Sequence, residues 1–164
     1  MKSIKTILEF APAAALSIGL AHFGVAYIAH ADNDSNITHN GTMNVVISPT
    51  CGCCSAWVAL AHKEGYDIEV KDIQDVTSVK LDNDVPDTMW ACHTALIDSY
   101  VVEGHVPFAL LAKLLKKRPN ITGTAVPGMP GGSPEMGNDP TAKFDVIAFG
   151  GDSGEGKVFY KAGL

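Results

Sequence analysis

Positive charge is scarce in this chain: 12 Lys and Arg stand against 18 Asp and Glu, for a formal charge of −6 at pH 7. The first residues carry Lys2 and Lys5 but only Glu9, so the remainder is more acidic still. No basic patch exists to neutralise phosphates, which excludes a nucleic-acid partner. The one basic cluster, Lys113, Lys116, Lys117 and Arg118, falls where cations complement the C-terminal end of a helix dipole. Internal repeats are absent, so the chain is not a solenoid or an array. Cysteine is sparse, with four in 164 residues, and three of them crowd into Cys51-Gly52-Cys53-Cys54. Such crowding excludes an ordinary disulfide framework, in which sulfurs are paired across the chain.

What is present begins with an export pattern. Lys2 and Lys5 precede an apolar run from Phe10 to Ile28, which ends at the small-x-small triplet Ala29-His30-Ala31. Residues 1–31 therefore read as a signal peptide. An uncleaved anchor is the competing reading, because Phe10 to Ala29 is long enough to span a bilayer. In that case the membrane is met only through this segment. Either way the rest lies outside the cytoplasm, where free thiols are open to oxidation. Residues 32–42 (DNDSNITHNGT) are polar and aperiodic, a tether. Residues 43–164 are enough for one domain with a core.

Met43 to Ser48 predicts a buried first strand, bounded by Pro49. The cysteine loop follows, and then a helix from Cys53 or Cys54 to Glu64, with Trp57, Leu60 and Ala61 on one face. Asp67 to Asp72 alternates as a second strand, and Val76 to Asp84 is weakly helical. Thr94–Ile97 and Tyr100–Val102 predict a hairpin. Pro107 opens the clearest helix, lined by Phe108, Leu111 and Leu115 and stopped by Pro119. Residues Thr122 to Asp139 read as a Gly/Pro loop, and Phe144–Phe149 with Lys157–Tyr160 as a last strand pair. The order is that of an α/β sandwich, a mixed sheet with flanking helices. A cysteine motif between strand one and helix one gives it a thioredoxin-like arrangement.

Several thiolates held together repel: two unit charges about 4 Å apart cost roughly 4 kcal/mol at an effective dielectric near 20. Protonation, a disulfide or a soft cation must relieve this. A helix N-terminus favours the thiolate, so Cys53 and Cys54 are expected to be reactive, with depressed pKa values. Cys51 and Cys54 have the C-x-x-C spacing of disulfide oxidoreductases, but Cys53 would compete inside such a pair. Cys92, just before the TALI strand, would add a fourth sulfur, and four converging sulfurs suit Cu(I), Zn(II) or an iron–sulfur centre. His93 and His105 are candidate ligands, although a histidine near apolar strands is often a packed core residue. His62 and His39 read as solvated. Met129 and Met136, in a flexible loop, offer soft thioethers for Cu(I) or a mobile lid.

Four blocks occur in one order: Ser48-Pro49-Thr50-Cys51-Gly52-Cys53-Cys54, Cys92-His93-Thr94-Ala95, Tyr100 to Pro107, and Ala125-Val126-Pro127-Gly128-Met129-Pro130. Together they resemble the bacterial copper-resistance CopG family. The resemblance runs from about Met43 to Tyr160; Ala91 departs from it where a serine is expected. It implies a periplasmic, thioredoxin-like protein that contributes to copper resistance by sequestration or redox handling. Several Cu(I) ions would be held in a cluster bridged by Cys51, Cys53, Cys54 and Cys92, with His93 and His105 as ligands or supporting groups. The implied partners are copper ions and other periplasmic copper-handling proteins. This is a metal-binding protein rather than an enzyme on that reading. Its rivals are a thiol–disulfide oxidoreductase using Cys51 and Cys54, and an iron–sulfur electron carrier.

Overall fold

The computed structural model describes residues 41–137 and 139–163. The signal segment and most of the tether, with His39, lie outside the described residues. Among those described, no helix is long and apolar enough to cross a membrane.

Seven strands form one mixed sheet in the order β2-β1-β3-β4-β5-β6-β7. The first half contains β1 (Met43–Ile47), α1 (Gly52–Lys63), β2 (Ile68–Asp72), α2 (Thr77–Asp82), β3 (Thr94–Ile97), β4 (Tyr100–Glu103) and α3 (Phe108–Lys117). Strands β1 and β2 are parallel, joined through α1, while β3 runs antiparallel to both β1 and β4. This order of pairing is compatible with the thioredoxin-like arrangement expected above. Strands β5 (Gly123–Ala125), β6 (Phe144–Phe149) and β7 (Lys157–Ala162) extend the sheet beyond it.

Strand alternation sorts the core into two faces. Met43, Val45, Ile47, Ala95, Ile97 and Val102 pack with Trp57 and Ala61 of α1 and with Phe108, Leu111 and Leu114 of α3. Val101, Ala125 and Phe149 point to the other face and pack with Val85 and Met89, from the segment after α2. Trp57 is fully buried and its indole N–H donates to Val106 O at 3.3 Å.

The structure corrects several expectations. Helix α1 starts at Gly52, a residue or two early, because Cys51 already has extended backbone and serves as the N-cap. Residues Thr122–Asp139 are not all loop: Gly123–Ala125 pair in parallel with Val101–Glu103 and antiparallel with Ile147–Phe149. Three small residues carry no alternation of their own. Their strand is imposed by neighbours on both sides, and a Cβ at Gly123 would lie 2.2 Å from Val101 O. Short 3-10 turns at Asp87–Met89 and Gly151–Ser153 were also unforeseen.

Candidate metal centre

The chain leaves β1, turns at Ser48–Thr50 and enters α1 with its cysteines in the first turn. That turn also carries the free N–H groups and the positive end of the helix dipole. Across from them, the segment entering β3 brings Cys92. The sulfurs of Cys51, Cys53, Cys54 and Cys92 all lie within 4.8 Å of one another. Cys51 Sγ and Cys53 Sγ are 3.5 Å apart, and Cys54 Sγ lies 3.6 Å from Cys92 O. Two stretches of chain about forty residues apart thus meet at one spot, as the sequence reading requires.

Two thiols of this group are oxidised. Cys51 and Cys54 form a disulfide, while Cys53 and Cys92 are free and partly buried. Of the three ways to relieve thiolate repulsion, this structure shows oxidation. Cys54 is fully buried rather than accessible. Nor is Cys92 a depressed thiol: burial, and then the neighbouring Cys53, push its pKa up to about 12. Its sulfur therefore carries a proton at neutral pH unless a cation replaces it.

His93 and His105 join the same sulfur. Cys92 Sγ is 3.0 Å from His105 Nε2 and 3.5 Å from His93 Nδ1. His105 Nδ1 is 2.6 Å from Pro134 O. A carbonyl can only accept, so Nδ1 holds the hydrogen and Nε2 presents a lone pair toward Cys92. His93 is fully buried between Trp57, 4.6 Å away by ring centroid, and His105 at 5.1 Å. Its Nε2 has no hydrogen-bond partner among the described residues. Burial, helped by the neighbouring His105 and Lys80, lowers the His93 pKa to about 3. Burial likewise lowers that of His105. Both rings are neutral at pH 7, the form that binds metal.

Sequence reasoning missed what holds Cys92 in place. Glu103, on β4, is fully buried and accepts from Ala91 N at 2.6 Å, Thr94 Oγ1 at 2.7 Å and Lys80 Nζ at 2.5 Å. Lys80, from α2, is only 2 % exposed and also donates to Thr94 Oγ1 at 3.1 Å. This pair sits on the sheet face opposite α1 and ties the backbone just before Cys92 to β4. On the other side of Cys92, Gly104 N donates to His93 O at 2.9 Å. Gly104 has φ 71°, and a Cβ there would lie 2.5 Å from the Ala91 methyl. The available signal was Glu103 itself, an acid at a strand position that alternates with buried valines.

The remaining candidates are placed differently. His62 is exposed on α1, as expected. Met129 is 40 % exposed, with φ 49°. Met136 is half-buried and closes a turn through its N–H to Ser133 O and its carbonyl to Gly132 N. The basic cluster closes α3 as expected, with Lys116 and Lys117 in its last turn; beyond that role, Lys113 lies over the Tyr160 ring and Arg118 pairs with Asp98.

Residues 89–136 match the model of a family described as a protein of unknown function, DUF411. That span contains Cys92, His93 and His105 but not the cysteines of α1. No protein with a curated description matches the chain. Two solved structures titled copper resistance protein CopG do. Form 2 is 36% identical with a TM-score of 0.67, covering 74% of this chain and 97% of that one. Form 1 has the same identity and TM-score, over 73% and 95%. At that identity over nearly the full length of those structures, the chain belongs to the CopG copper resistance protein family.

Proposed function

We propose that this protein binds copper outside the cytoplasm, in the periplasm, and holds several Cu(I) ions in a cluster bridged by Cys51, Cys53, Cys54 and Cys92. Residues 1–31 act as its export signal and 32–42 as a tether, and its part in copper resistance is sequestration or redox handling. The observation that carries the reading is the mutual approach of four sulfurs within 4.8 Å. Soft thiolates select Cu(I), and one sulfur shared by two cuprous ions lets few cysteines hold several metals. Loading at Cys92 displaces the proton that its raised pKa keeps on the sulfur. His93 and His105 are ligands or supporting groups of this centre; Met129 and Met136 supply thioethers or a lid over it.

The cluster form requires Cys51 and Cys54 as thiolates. Opening their disulfide takes two electrons and two protons from an external reductant, such as a periplasmic dithiol protein. Reduced protein loaded anaerobically with Cu(I) then retains more than one copper per chain, and Cys53→Ser retains fewer. Retention at or below one overturns the reading.

The closed disulfide favours a second reading, a thiol–disulfide oxidoreductase. That activity needs no metal, is lost in Cys54→Ser and is indifferent to copper chelators. A metal-free insulin-reduction assay separates the two.

A further inference from the structure

With Cys51 and Cys54 already paired, the two cysteines left over meet across two separate stretches of chain. We propose that Cys53 and Cys92 are a second disulfide-forming pair, and that closing it is a reversible oxidative modification that locks the sulfurs away from metal. What the lock does to copper rests on the cluster reading above; whether the bond forms does not.

Three observations carry it. The first is proximity. Cys53 Sγ and Cys92 Sγ belong to the group of sulfurs that all lie within 4.8 Å of one another. A disulfide bond of about 2.0 Å therefore asks for on the order of 3 Å of approach, the scale of a side-chain rotation.

The second is access. Cys53 and Cys92 are both partly exposed thiols, whereas Cys54 is fully buried. An oxidant can reach the free pair from solvent.

The third is the state of the centre. The same turn of α1 already holds one closed bridge, and closing Cys53 onto Cys92 completes the oxidation without disturbing it. The new bond would tie the start of α1 to the segment entering β3.

The oxidant is a second disulfide, on a small molecule or a protein. Cys53 attacks one of its sulfurs, and the first thiol departs with the Cys53 proton. Cys92 then attacks the Cys53 sulfur, and the bond between Cys53 and the oxidant breaks. His105 is placed to pass on the Cys92 proton. Its Nε2 faces Cys92 Sγ at 3.0 Å, while Nδ1–H is held on Pro134 O at 2.6 Å. The second thiol departs with that proton. Two protein thiols and one disulfide thus become one protein disulfide and two thiols, with no net proton change.

Glutathione disulfide is a suitable probe, applied to metal-free, full-length protein with the Cys51–Cys54 bridge closed. The two free thiols are expected to disappear, with a mass loss of two hydrogens and no retained glutathione. Tryptic mapping reads the new bond directly. No Lys or Arg lies between Lys5 and Lys63 or between Lys80 and Lys113. The existing bridge therefore stays within one peptide, and the new one joins that peptide to the peptide of Cys92. Fragmentation is expected to place the link at Cys53. Cys51→Ser/Cys54→Ser should form it, and Cys53→Ser should not. Thiols that stay free, glutathione that stays attached, or a link from Cys51 or Cys54 in the wild type overturns the pairing. Doubly bridged protein is expected to retain no Cu(I) until dithiothreitol opens it. Copper retained with both bridges intact overturns the lock. Reduced protein that holds no copper overturns the cluster reading instead and leaves the pairing standing.

Discussion

The fourth sulfur is positioned by a side chain that never touches it. Glu103 ties Ala91 N, Thr94 and Lys80 together in a fully buried spot. Removing one partner of a buried ion pair leaves the other charge uncompensated, at a cost of ~3–5 kcal/mol. Glu103→Ala is expected to lose stability in that range in urea unfolding. Glu103→Gln, which keeps acceptors for Ala91 and Thr94, should lose less. Among molecules still folded, Glu103→Ala should also bind metal ~10–100-fold more weakly, the size of effect expected when an outer support of a ligand is lost. An affinity equal to the wild type would mean that the Cys92 segment needs no such anchor.

His93 makes a prediction of opposite origin. Its folded pKa is about 3 against an ordinary 6.5. Above 6.5 the ring is neutral in folded and unfolded chains and pH has no effect through it. Between 6.5 and 3 the unfolded chain takes up a proton that the folded one refuses. Metal-free protein should therefore lose stability as pH falls through that window, by at most ~1.4 kcal/mol per pH unit from this residue. Urea midpoints measured in steps from pH 7 to 4 test it; a flat profile would contradict burial of the neutral ring.

At the scale of elements, the chain announces what its own periodicity and breakers dictate. Pro107 and the line Phe108, Leu111, Leu115 place α3, and alternation places the hairpin of β3 and β4. The start of α1, expected at Cys53 or Cys54, is legible to within a residue or two of its place at Gly52. Strand β5 is not legible, because Gly123-Thr124-Ala125 has neither an apolar alternation nor β-branched bulk beyond Thr124. It exists because β4 and β6 each offer it a row of backbone partners. Gly123→Ala tests this account. Its Cβ would sit 2.2 Å from Val101 O, a backbone atom that cannot rotate aside. We expect a loss of ~1–3 kcal/mol, typical of overpacking, with hydrogen exchange fastest at Val101–Glu103 and Gly123–Ala125. A neutral substitution would show that β4 and β5 are not held at that separation. The buried pair under β3 was hidden for a related reason. Lys80 lies in a weak helix and Glu103 ends a strand, and only folding places them on the same face of the sheet.

For the whole molecule, the site draws on α1, the segment before β3, the end of β4 and the loop that follows β5. Any metal held there therefore cross-links the fold, and binding is linked to protons as well as to stability. Cys92 holds its proton until about pH 12 without a cation, so loading at neutral pH should release at least one proton per chain from that residue. Proton release in weak buffer during anaerobic Cu(I) addition measures it. The same competition run backwards predicts copper loss on acidification. Retention in strong acid would point to other ligands.

The convergence of Cys92 on the cysteine turn was readable from the order of the motifs. The closed disulfide, the buried Cys54 and the raised Cys92 thiol were not, since each depends on how far folding withdraws a sulfur from water. X-ray absorption at the copper edge, on reduced protein loaded anaerobically, addresses the cluster directly. We predict cuprous copper with a first shell dominated by sulfur and a short copper–copper distance, the latter lost in Cys92→Ser. A single isolated copper, with no copper neighbour and a shell dominated by nitrogen or oxygen, would contradict it.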